Sequence, residues 1–167
     1  MQRNKYAGDT YLSLIRRRFI AAFFALAILL PLGTAPAAER LKVVTTTGMI
    51  AAAASQIGGN LVELQSLMGP GVDPHAYRQT RSDIVAMANA DLVLWNGLFL
   101  EAQLESFLLK LSVRNRVVAV AEGVPAHLLI GSEDYANRFD PHLWMNPTLW
   151  SLVVVNVRDA LIDAYPL

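Results

Sequence analysis

The 167-residue sequence has no cysteine and no net charge, its 14 Lys+Arg being balanced by 14 Asp+Glu. Without cysteine there is no disulfide framework, thiol nucleophile or cysteine-built cluster, so a metal would have to be held by histidine, carboxylate, carbonyl or water. Balanced charge removes the basic face that phosphate neutralisation needs, and nucleic acid is not an expected partner. A His-Glu-x-x-His helix, a nucleophile elbow and a glycine-rich phosphate loop are also missing. The adjacent Gly58-Gly59 closes an alanine-rich run rather than opening a helix behind a strand.

Charge and hydropathy are unevenly spread. Arg3, Lys5, Arg16, Arg17 and Arg18 stand against a single acid, Asp9, and residues 19–32 carry no charge. Fourteen apolar residues make about 21 Å of helix, short of the roughly 30 Å of a hydrocarbon core, so a signal peptide is expected over a membrane anchor. Ala35-Pro36-Ala37 supplies small residues at the positions signal peptidase reads and predicts cleavage after Ala37. Arg16-Arg17-Arg18-Phe19-Ile20 fits both an ordinary basic leader and a twin-arginine signal. With no cysteine to acylate, a periplasmic chain without a lipid anchor is expected. Residues 38–167 would keep 9 basic and 13 acidic residues, a net charge of −4.

Within that mature span, apolar β-rich runs at 41–47, 61–68, 91–95 and 116–121 alternate with helical patterns. Helices are expected over 49–57, behind a cap at Thr80 or Ser82, over 101–111, and over 148–165 behind Pro147. In the second of these, Ile84, Val85, Met87 and Ala88 are expected on the inner side; in the third, positions 104, 107, 108 and 111. The alternation predicts an α/β fold, a parallel four-stranded sheet with helices on both faces, its strands apolar throughout. Residues 122–141 read as a loop excursion. Ligands of such sheets bind along the edge where the strands end.

Two of the three histidines lie in the same tripeptide, Asp73-Pro74-His75 and Asp140-Pro141-His142, and each has an aromatic two residues on, Tyr77 and Trp144. Proline stiffens the backbone on both sides of itself, which favours a preorganised ligand. Neutral imidazole is the commonest protein ligand for transition metals, and its second nitrogen needs a partner. Asp73 or Asp140 could be that partner, or could cap a turn. One Asp-Pro-His is ordinarily a turn with a partly exposed histidine; two, each expected at the binding edge of the sheet, leave metal ligands and a pair of turns equally open on these residues alone. His127, in Pro125-Ala126-His127, lacks this framing and reads as a surface histidine.

These motifs occur in a telling order: Gly71-Val72-Asp73-Pro74-His75-Ala76-Tyr77, Thr80-Arg81-Ser82-Asp83, Ala90-Asp91-Leu92-Val93, Asn96-Gly97-Leu98 with Glu101, and Asp140-Pro141-His142-Leu143-Trp144. The set resembles the metal-binding family of ABC-transporter substrate-binding proteins. The resemblance implies a receptor, not an enzyme, whose cargo is Mn2+, Zn2+ or Fe2+ and whose partner is an inner-membrane ABC permease. It implies that His75 and His142 are metal ligands of the N-terminal lobe, that Asp73 and Tyr77 support His75, and that Trp144 shields the site from water.

The chain also departs from the family. Members are roughly twice as long, with a second lobe that adds two ligands, commonly His or Glu and then Asp; no residue here matches either. The expectation is therefore residues 1–37 as signal peptide and 38–167 as one lobe carrying half a site, from a truncated receptor or from a split one with a separately encoded C-terminal lobe. Asn146 stands where Asp is frequent and is not expected to be a ligand. The histidine-rich acidic insert of many zinc-specific members is missing from 122–141. Two other classes fit the residues less well: a metal-dependent hydrolase using the histidine pair, and a metal-independent, adhesin-like interaction module.

Overall fold

The computed structural model describes residues 39–133 and 135–165. The expected signal peptide, its cleavage after Ala37 and the arginine run all lie outside the described residues.

Strand β1 (Leu41–Thr45) opens the fold and leads into helix α1 (Gly48–Gly58). The helix stops at Gly59, whose φ of +52° suits a residue without a side chain. Strand β2 (Val62–Ser66) returns beside β1 in parallel, Leu41 opposite Val62 and Thr45 opposite Ser66. Helix α2 (Arg81–Asn89) then carries the chain to β3 (Leu92–Trp95), which pairs with the other side of β1, and α3 (Glu105–Leu111) to β4 (Val117–Ala119) beside β3. The order is β2-β1-β3-β4, all parallel. The expected four-stranded α/β architecture is what the chain adopts.

Alternation along the strands divides the core into two layers. Leu41, Val43, Leu92 and Leu94 pack against Ile50 and Ala54 of α1 and against Val153, Val157 and Leu161 of the last helix, α4 (Pro147–Ala164). On the other side Val44, Val93 and Trp95 meet Met87 of α2 and Leu104 and Leu108 around α3, with Phe107 and Leu111 partly buried beside them. Helices thus cover both faces. No helix among the described residues is long and apolar enough to cross a membrane.

Three details differ from the sequence expectation. The strands are not apolar throughout: β3 is wholly buried, whereas β2, with β1 on one side only, leaves Glu63, Gln65 and Ser66 exposed. In α2 the inner residues are Asp83 and Met87, while Ile84, Val85 and Ala88 are exposed. The cause is the capping box: Thr80 Oγ1 accepts from the Asp83 N–H and the Asp83 carboxylate accepts from the Thr80 N–H, which turns Asp83 inward and Met87 with it one turn on. Finally, the third helix begins at Glu105 rather than Glu101, although the Glu105 N–H already bonds to the Glu101 carbonyl at 3.0 Å.

The sheet's order places the switch between crossovers at the C-terminal ends of β1 and β3, where a crevice forms in open α/β sheets. The 122–141 excursion borders that edge. It contains a short 3-10 turn, Ala126–Leu128, and an antiparallel bridge between Gly131 and Phe139. A second such turn, Leu143–Met145, leads to Asn146, whose Oδ1 accepts from the Thr148 and Leu149 N–H groups and caps α4 ahead of Pro147.

Candidate metal site

His75 lies on the loop after β2 and His142 on the segment between β4 and α4, 67 positions apart in sequence. Their Nε2 atoms stand 3.3 Å apart, with ring centroids at 5.4 Å and planes tilted by 51°. The rings border a cavity of about 180 Å³ with Leu98, Phe99, Phe139 and Asp140. Both side chains remain partly open to solvent.

The two aspartates do different work. Oδ1 of Asp73 accepts the His75 backbone N–H at 2.9 Å, a turn-capping bond that fixes the loop. Oδ1 of Asp140 makes the equivalent bond to the His142 N–H at 2.9 Å and also lies 2.5 Å from Nδ1 of the His142 ring. Of the two candidates for a ring partner, Asp140 has that contact. The His142 backbone N–H, followed by the contact with its ring, holds the Asp140 carboxyl below the usual carboxylate range. An ionised carboxylate only accepts, so Nδ1 of His142 donates, and in the neutral ring Nε2 is left with the lone pair aimed at His75.

The aromatics also separate. Trp144 packs edge-on against His142 with centroids 5.2 Å apart and is half-buried. The hydroxyl of Tyr77, the residue expected to support His75, donates to Asp83 Oδ2 at 2.7 Å. The reason is the inward turn of Asp83, which puts a buried acceptor within reach of the loop. Burial, then the hydrogen bond and charge of Asp83, push the Tyr77 hydroxyl up to about 12. Burial works to raise the Asp83 carboxyl, but bonds from Thr80 and Tyr77 prevail and hold it low. Tyr77 therefore ties the His75 loop to the start of α2. His127 is exposed on its 3-10 turn, away from the cavity lining.

A buried polar cluster behind the histidines has no counterpart in the sequence expectation. Glu101 is fully buried; its Oε1 accepts from Thr46 Oγ1 at 2.6 Å and from the Asn96 N–H at 2.8 Å, its Oε2 from the Gly97 N–H at 3.2 Å. Asn96 Nδ2 donates to the carbonyls of Gly97, at 3.0 Å, and Pro141, at 3.3 Å. Gly97 has a φ of +78°, and a Cβ there would come within 2.9 Å of Ala119 and Glu122, so the turn accepts only glycine. The signal in the sequence is a lone acid in the otherwise apolar run after Asn96-Gly97. Burial raises the Glu101 carboxyl despite its hydrogen bonds. Among the described residues no group of three or more His, Asp or Glu gathers closely enough to hold a metal, which leaves a pair of imidazoles with one oriented nitrogen.

Comparison with known proteins decides the family. Residues 43–167 match the ZnuA family, described as zinc-uptake complex component A, periplasmic. The chain belongs to this family. It is 42% identical over 159 residues to the zinc-binding protein TroA of Treponema pallidum, covering 92% of this chain and 51% of TroA. The manganese-binding lipoprotein MntA of Bacillus subtilis is 41% identical over 128 residues, with 77% of this chain and 42% of MntA covered. The iron-binding protein YfeA of Yersinia pestis is 36% identical over 129 residues, with 77% and 41% covered. The solved structure of periplasmic TroA superposes with a TM-score of 0.73 and 43% identity over 77% of this chain and 46% of that one. This ZnuA-family chain spans about half the length of the curated relatives it matches. Each of the three is named for binding a metal rather than for catalysis. MntA is named a lipoprotein, so the relatives lend no support to the expected lack of a lipid anchor.

Proposed function

We propose that residues 38–167 are the N-terminal lobe of a periplasmic substrate-binding protein that hands a divalent transition metal, Mn2+, Zn2+ or Fe2+, to an inner-membrane ABC permease. In this reading residues 1–37 are the export signal, His75 and His142 are ligands from this lobe, and Trp144 keeps water from one side of His142. The observation that carries it is the 3.3 Å between the two Nε2 atoms. Two nitrogens bound tetrahedrally to one metal at about 2.0–2.1 Å stand about 3.3–3.4 Å apart. The imidazoles already have the spacing of neighbours in one coordination sphere, and Asp140 orients one of them as metal-ligating histidines are commonly oriented.

Two imidazoles do not complete a site. The relatives are about twice as long as the matched span, and we assign the remaining ligands to a second lobe or to water. Closed four-ligand zinc sites draw on roughly 10–16 kcal/mol, so half a site supplies about 5–8 kcal/mol, a Kd between about 1 µM and 0.2 mM. Equilibrium titration of the purified chain with Zn2+ and Mn2+ tests this. One weak equivalent is expected, lost in His75→Ala and in His142→Ala. Submicromolar binding by the monomer contradicts the half-site, and binding unchanged in both variants removes the histidines from it.

A further inference from the structure

We propose that Asn96, braced by Glu101, is a positioning residue that sets where the His142 imidazole stands. The proposal deepens the metal-site reading and rests on it for its affinity arm. Among the described residues Glu101 has no ion-pair partner, and a buried acid without a cation is costly. Apart from its own backbone N–H, the groups bonded to its carboxyl lie at the ends of β1 and β3: Thr46 Oγ1 and the Asn96 and Gly97 N–H groups. What the carboxyl does is lock the backbone on which Asn96 is carried.

Asn96 in turn is buried, and its Oδ1 has no hydrogen-bond partner among the described residues. Its amide orientation is nevertheless determined. Reversed, Oδ1 would face the carbonyl oxygens of Gly97 and Pro141, and both attractive contacts would turn repulsive. An asparagine kept with one orphaned acceptor is kept for what its Nδ2 does. The Pro141 carbonyl also accepts the Leu143 N–H at 2.9 Å, and the Asp140 N–H bonds to Ile130, but both of those bonds stay within residues 130–143; the Asn96 bond is, among the described residues, the hydrogen bond that ties Asp140-Pro141-His142 to the end of the sheet.

That carbonyl belongs to the planar peptide unit that ends at the His142 Cα. The other end of the same unit, the His142 N–H, is held by Asp140 Oδ1. With both ends clamped and φ of Pro141 fixed by its ring, the His142 Cα has little freedom. Asp140 then sets the ring from Nδ1. A chain of contacts therefore runs from Thr46 and Glu101 through Asn96 and Pro141 to the imidazole.

The near-isosteric Asn96→Asp keeps the backbone bond to Glu101 but swaps the donor for an acceptor facing two carbonyls. In the metal-free protein, NMR should show loss of the nuclear Overhauser contact between the His75 and His142 rings and broadening of the His142 ring signals, while His127 serves as an unaffected control. Zn2+ affinity should fall about 10–100-fold, as when a partner of a metal-bound histidine is removed. Asn96→Ala, which removes the donor without adding charge, should behave alike if the first variant does not fold. An intact ring-to-ring contact with Zn2+ affinity within twofold of the parent overturns the proposal. If the parent chain itself binds no metal, the metal-site reading fails, and the metal-free ring contact still decides whether Asn96 positions His142.

Discussion

Asp140 uses a single oxygen, Oδ1, for two tasks, holding the His142 backbone and orienting its ring, whereas Asp73 holds only the backbone of His75. Asp140→Asn keeps an acceptor for the N–H but loses the charge that draws the ring proton to Nδ1. Zn2+ affinity measured by competition with a chelator should drop about 10–100-fold, and Asp73→Asn should cost distinctly less. Glu101 makes a prediction of another kind. Burial raises its carboxyl, so the folded chain keeps a proton at a pH where the unfolded chain, near the ordinary value of about 4.3, has lost it. Stability therefore falls as pH rises across that interval. Glu101→Gln has no proton to lose, so the stability of the parent relative to this variant should decline from about pH 4 upward in urea titrations. Asp83 and Asp140, whose carboxyls are held low, act in the opposite direction in both proteins and cancel in the difference. A pH-independent difference contradicts the account of Glu101.

At the scale of elements, the capping box at Thr80 fixes more than one helix end. Thr80→Ala should destabilise the chain by about 1 kcal/mol in urea unfolding. Since Asp83 also holds Tyr77, the substitution should loosen the His75 loop, read as faster amide exchange over residues 73–80 than in the parent. The sequence made the strands and the helix cap legible because β-branched runs, glycine stops and Thr80 act locally. It misled about the inner face of α2 because Ile84 and Val85 advertise burial by hydropathy, while the side-chain bonds of Asp83 decide the helix's rotation and leave Val85 53% exposed. In β2 the polar Glu63, Gln65 and Ser66 are a local mark of exposure that the expectation of strands apolar throughout overrode. Glu101 is the sharpest case: nothing next to it in the chain marks its burial, and its partners lie up to 55 positions away.

Across the whole molecule, the ordered motifs point to the family, which the match over residues 43–167 bears out, and put forward both histidines as candidates, since each motif is short and carries its own chemistry. What they did not carry is separation in space. The 3.3 Å between Nε2 atoms, the choice of Asp140 over Asp73 as ring partner, and the Asn96 bond to Pro141 depend on how the ends of four parallel strands bring distant segments together. The central claim is that the two imidazoles share one metal. X-ray absorption at the zinc edge of the Zn2+-loaded chain measures this directly. The account predicts two imidazole nitrogens at about 2.0–2.1 Å with oxygen completing the shell, and loss of the imidazole signal in the His75→Ala, His142→Ala double variant. A shell with no imidazole, or an imidazole signal unchanged in the double variant, would contradict it.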